Sequence, residues 1–170
     1  MAELRHIIED QKLEYQGLVS VRDLYRMMEK WFAERRYSKQ EKRNYEEVNE
    51  GYKCIDLEIE PQKKVSDYIK ISLKVEIMAD DVKDVDIDMD GRKETVQEGK
   101  FHITFNGYVI MDYENKWEMK PFYFFIRTVM DKFVYKGIIH RYEKMIAQHV
   151  EELAEEMKAF LNITKYKHGQ

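Results

Sequence analysis

The chain has 170 residues, 44% of them hydrophobic, which is the length of one well-buried domain and short for two. Its 29 basic and 33 acidic residues leave a net charge of -4, so no global cationic field exists to hold nucleic acid or anionic lipid, and nucleic acid is not an expected partner. One cysteine, Cys54, excludes an intrachain disulfide and a thiolate metal cluster, and it suits a reducing compartment such as the cytoplasm.

The first ten residues carry Glu3, Arg5, Glu9 and Asp10 and lack the apolar stretch of a secretory signal. The apolar run at 122–126 is far below the roughly 20 residues that span a bilayer, so no membrane span is expected. Residues 12–19 suit a short strand. Then the period changes: Val21, Leu24, Tyr25, Met28, Trp31 and Phe32 recur at helical spacing after Ser20, which is placed to cap a helix over 20–37.

From 44 to 113 the pattern is that of an antiparallel sheet. Ile55, Leu57 and Ile59 alternate with Asp56, Glu58 and Glu60 up to Pro61, and Ile69, Ile71, Leu73, Val75 and Ile77 alternate with Lys70, Ser72, Lys74 and Glu76. Val85, Ile87 and Met89 continue to the turn dipeptide Asp90-Gly91, after which 92–97 returns and a last strand runs through Phe101, Ile103 and Phe105 to about 113. Helical spacing resumes over 122–162, where a continuous helix would be longer than the domain, so a break is expected near Lys136 and Gly137. Within it, Phe122, Phe124 and Ile126 also alternate as a strand would, leaving 122–135 open between the two. Residues 163–170 read as a fraying tail.

The expected fold is therefore α+β and one domain over 1–170: a sheet of six or seven antiparallel strands on a long C-terminal helix, with a shorter helix near the N-terminus. This order of a short strand, a helix, a run of strands and one long aromatic-rich helix resembles the helix-grip fold of the START and Bet v 1-like superfamily. The resemblance implies an apolar cavity between a concave sheet and the last helix, used in many members for lipids, sterols or other hydrophobic ligands. A hydrophobic small molecule is the first expected partner, and a protein partner docking on the helices is the second.

No motif in the chain requires a catalytic residue, a cofactor or a metal. Asp86, Asp88, Asp90 and Gly91 match the first half of a calcium-binding loop, but Gln97 stands where the bidentate glutamate belongs, and the flanking residues alternate as a strand where a helix is needed. A solvated strand face beside a hairpin turn is the simpler reading. His140 and His149 are nine positions apart, about 180° around a helix, and cannot chelate together. His149 lies on the apolar stripe near Glu152, as a core-edge histidine would; His102 shares a strand face with Thr104 and Asn106, read as solvent-facing. If a cavity exists, Arg127, Tyr142, Met145 and His149 are its candidate polar or adaptable lining. Arg35, Arg36, Lys39 and Arg43, with Tyr37, Lys42 and Tyr45, form a small basic and aromatic cluster suited to an anion or RNA phosphate, diluted by Glu34, Glu41, Glu46 and Glu47. An enzyme with a dispersed site leaves no linear motif and stands third.

Overall fold

The period-two stretches form one antiparallel sheet, and the two helical stretches lie against it. The computed structural model describes residues 3–89, 91–113, 125, 128, 129 and 135–168. In chain order the elements are β1 (Glu3–Val19), α1 (Val21–Glu34), β2 (Glu41–Asn49), β3 (Tyr52–Ile59), β4 (Gln62–Lys64), β5 (Ile69–Met89), β6 (Arg92–Met111) and α2 (Tyr135–His168). The six-stranded sheet has the order β1-β6-β5-β3-β2, with β4 also on β5. β3 and β4 share one edge of β5: Ile59 pairs with Val75, and beyond Pro61 Gln62 pairs with Ser72. Pro61 has no N–H to give the ladder, yet its carbonyl accepts from the Leu73 N–H at 3.0 Å, so the edge stays continuous.

Several boundaries differ from those expected, each for a local reason. β1 starts at Glu3 rather than at 12, because register shifts between His6 and Gln11 hide its alternation. Asp10 sits there at φ 51°, and its N–H donates to Asn106 Oδ1 at 2.8 Å. Asn106 is therefore buried, not solvent-facing. The separate strands expected at 69–77 and 85–89 are one strand, β5, whose phase slips at a bulge between Asp80 and Lys83 with Asp81 at φ 53°. Gly99 lies across that bulge, where a Cβ would stand 3.1 Å from the Asp80 carbonyl oxygen. The returning segments likewise fuse into β6, so among the described residues five strands follow α1 and the sheet has six in all, as expected.

α1 ends at Glu34, short of 37, and β2 begins at Glu41, ahead of 44. α2 is helical from Tyr135 through Gly137 to His168, past the expected start of a tail at 163, and residues 130–134, on which the expected break near Lys136 and Gly137 turns, lie outside the described residues. Phe125, Thr128 and Val129 are helical, whereas Arg127 and the rest of 122–134 lie outside the described residues. No helix among the described residues is long and apolar enough to cross a membrane.

The core lies on one face of the sheet. β5 contributes Ile69, Ile71, Leu73, Val75, Ile77 and Ala79, and β6 contributes Phe101, Ile103, Phe105 and Val109. Over them α2 places Ile146, Val150, Leu153, Met157 and Leu161, a stripe spaced three and four apart and excluded from solvent; burial of each such side chain is worth about 1.5–3 kcal/mol. Helix and sheet approach closely at Gly107 of β6. A Cβ built there would lie 2.4 Å from Ile146 Cγ2 and 3.4 Å from Val150 Cγ2. The opposite face carries charge. Register sets Glu58 directly against Glu76, and Lys74 relieves the repulsion at 3.5 and 2.9 Å from the two carboxylates, aided by Arg43 at 2.9 Å from Asp56 and 3.8 Å from Glu76.

Two glycine substitutions separate these packing effects. Gly107→Ala should lower the unfolding free energy by about 1–3 kcal/mol through overpacking against Ile146. Gly137→Ala, in a helix with nothing within 4 Å among the described residues, should raise it by about 0.5–1 kcal/mol. Urea melts of both variants check the pair; a neutral Gly107→Ala would show that helix and sheet do not touch as described.

Candidate functional site

α1 ends in a motif that turns an aromatic ring back onto the helix. Arg36 adopts φ 59°, its N–H bonds to the Ala33 carbonyl at 3.0 Å, and the Tyr37 N–H bonds to the Phe32 carbonyl at 2.9 Å. These are the two bonds of a Schellman ending, and the accompanying apolar contact is present: the Tyr37 and Phe32 rings lie 6.5 Å apart, centre to centre. Tyr37 is thus carried inward and left 6% exposed.

There it meets His149 of α2. Tyr37 Oη and His149 Nδ1 are 2.8 Å apart, and Trp31 of α1 contacts both rings, stacked on Tyr37 at 6.2 Å and edge-on to His149 at 5.8 Å. Arg35 lies over the Trp31 ring at 4.0 Å and reaches Glu152 on the next turn of α2 at 3.0 Å. Lys63 of β4 approaches the Tyr37 ring at 5.8 Å. The Trp31 Nε1–H is buried with no acceptor among the described residues.

Burial sets the chemistry of this cluster. It pushes the Tyr37 phenol well above its ordinary range, against the opposing effect of Arg35, so Tyr37 stays protonated. It pushes the His149 imidazole below its ordinary value of 6.5; the Glu152 carboxylate opposes this, and the Lys63 and Arg35 cations reinforce it. Glu152 is held below the usual carboxylate range by hydrogen bonds from Gln148 and Arg35. A neutral imidazole bonded to a neutral phenol, beside an ion pair that spans two helices, is suited to clamping α1 and β4 to α2.

The structure joins Arg35 and His149, which the sequence placed in different candidate sites, and adds Tyr37 and Trp31 as the link. Tyr142 and Met145 are half-buried against the core two turns and one turn before His149 on α2. The remaining basic residues turn apart. Lys39 bonds Tyr25 and lies 2.7 Å from Glu29; Tyr25 in turn donates to Glu41; Arg43 pairs with acids on the far sheet face; Arg36 is exposed. Asp86 and Asp88 accept from Thr95 Oγ1 at 2.7 Å and from the Gly91 N–H at 3.0 Å, as members of the β5–β6 hairpin.

A second feature lies where α2 does not reach. Its main contacts are with β1, β6, β5 and α1, leaving the inner face of β2 and β3 beyond it. Between that face and the first turns of α1 is an open groove of about 460 Å³. Val21, Tyr25, Ile55 and Leu57 give it apolar surface, and Asn44, Thr95 and Arg22 line it elsewhere. Its polar wall is internally matched. Lys53 bridges Asp84 and, at 3.0 Å, Glu46; Gln97 donates to Asp84 at 3.2 Å and accepts from the Val21 N–H at 3.2 Å. These bonds hold Asp84 below, and Lys53 above, their ordinary pKa ranges.

Because the folded pKa of His149 is depressed, its contribution to stability is full above about pH 6.5 and is lost as the pH falls through the folded value. Urea midpoints should therefore decline as the pH falls below about 6.5, and His149→Gln should flatten that decline. Arg36→Gly should add about 0.5–1 kcal/mol by removing a side chain from a left-handed position, read as a higher melting temperature. Comparison of the chain with protein-family models, with curated proteins and with solved structures gave no match.

Proposed function

We propose that this chain is a helix-grip-like binding domain that takes a hydrophobic or amphipathic small molecule, with α1 and the inner face of β2 and β3 as the binding groove. The observation that carries the reading is the groove itself. Its volume of about 460 Å³ falls in the range of small-molecule sites, and it combines apolar surface with a few polar groups already fixed by one another. The order of β1, α1, five strands and a long closing helix supports the helix-grip reading. The α2 side of the sheet face is filled by Ile146, Val150, Leu153, Met157 and Leu161, which favours the α1 side for a ligand.

The polar wall limits what fits. Lys53, Asp84 and Glu46 neutralise one another, so a ligand with strong net charge would have to break an existing pair, whereas an apolar body with hydroxyl or carbonyl groups would not. A second reading, docking of a protein partner on the helices, is favoured by no feature as specific.

The test is native mass spectrometry of protein purified from its own host, before and after denaturation, with titration of the fluorescent probe 1-anilinonaphthalene-8-sulfonate. A releasable excess mass, and saturable probe binding that falls at least tenfold in Thr95→Trp, are the expected results, since Thr95 is an exposed groove residue that tryptophan would plug. A bare chain, together with probe binding unchanged by Thr95→Trp, would sink the proposal.

A further inference from the structure

Among the described residues β2 is one free edge of the sheet, and its sequence Glu-Lys-Arg-Asn-Tyr-Glu-Glu-Val-Asn is heavily charged, as edges usually are. The charges are nevertheless arranged to complement a second copy. Arg43, Tyr45 and Glu47 face the outer side of the sheet, paired with Glu58, Asp56 and Cys54, while Asn44, Glu46 and Val48 face the inner side. In an antiparallel pairing of β2 with itself about a two-fold axis normal to the sheet, directly opposed residues must lie on the same face.

With the axis at Tyr45, the tyrosine meets its own copy, Arg43 faces Glu47 and Asn44 faces Glu46, Lys42 lying in the register shift between Glu41 and Arg43. Shifting the axis to Glu46 sets that carboxylate against itself, and shifting it to Asn44 parts Arg43 from Glu47 and sets it against Tyr45. The register centred on Tyr45 pairs Arg43 with Glu47 on the outer face and places an aromatic pair at its middle.

Exposure agrees with that register. Tyr45 is 57% and Val48 68% exposed, both on the strand whose outer edge is unpaired, and Met78, on the same outer-face row as Tyr45, is 55% exposed. Glu47 is exposed and has no hydrogen bond or ion pair among the described residues. We infer that the β2 edge is a homodimer interface, in which two copies join through Tyr45 into one continuous sheet. Asn44 and Glu46 also line the groove of about 460 Å³, so the pairing sets the two grooves side by side across the axis. The inference does not depend on what the groove holds.

A nine-residue edge is small for a stable interface, so association should appear across a concentration series from about 1 µM to about 1 mM. Sedimentation should show the weight-average mass rising from one chain toward two, and Glu47→Arg, which opposes Arg43 to arginine, should shift that rise at least tenfold higher in concentration. Cross-linking fixes the register. In a Cys54→Ser background, Tyr45→Cys brings two thiols to opposed strand positions, about 4.5–5.5 Å apart between Cα atoms and within disulfide reach, whereas Glu47→Cys leaves them about 13 Å apart along the strands. Oxidised glutathione should link the first variant to itself and not the second, with circular dichroism confirming that both are folded. A chain that stays monomeric over the whole series, equal cross-linking of the two variants, or a dimer that does not cross-link through position 45 would each overturn the inference.

Discussion

The absence of a side chain at Gly107 lets α2 settle onto β6, and the rest of the arrangement follows from where that contact falls. Ile146 occupies the space a Cβ would take, with Val150 in ordinary contact beside it. From there the helical repeat dictates that Leu153, Met157 and Leu161 face the same way. His149 falls just off this stripe, toward α1, where Tyr37 is waiting. A helix seated over β6 and β1 also leaves β2 and β3 for α1 to cover, and α1 covers them incompletely. The groove and the clamp are thus two results of one close approach.

The clamp depends on a chain ending as much as on a pair of side chains. Arg36 occupies a left-handed conformation that most helix ends reserve for glycine, and its reward is that Tyr37 points inward with Phe32 and Trp31 beside it. A buried phenol then needs a partner, because leaving its oxygen unsatisfied would cost about 1–3 kcal/mol, and His149 supplies it. Around that single bond are gathered cations from α1 and β4 and a carboxylate from α2, so three elements far apart in sequence report on one another through one small volume.

Much of the fold was legible in the sequence because its strongest signals are periodic. The alternation from Ile69 to Ile77 and the helical spacing in α1 and α2 locate the core face of each element without any tertiary information. What stayed hidden was aperiodic. Bulges at Asp10 and Asp81 shift the phase of β1 and β5, so the strands look shorter and more numerous than they are. Asn106 reads as a surface residue on its own strand and is buried only because β1 folds a backbone N–H onto it. His149 was visible as a core-edge histidine, yet its partner lies at Tyr37, too distant in the chain for any spacing argument to connect them. The groove was equally invisible, since its lining comes from α1 and four strands.

The sheet also sets an order of assembly. Every pairing among β2 to β6 joins segments near one another in the chain, so this meander can close locally. β1 is different: Glu3 lies opposite Met111 and Val19 opposite Gln97, so β1 is made well before the strand it pairs with. During that interval its 17 residues hang beside a growing sheet with their backbone groups unclaimed, the condition under which strands pair with the wrong neighbour. The dense charge of its sequence, with Arg5, Glu9, Asp10, Lys12 and Glu14 spaced along it, then acts before folding as well as after, keeping a long unpaired strand hydrated until β6 has been made.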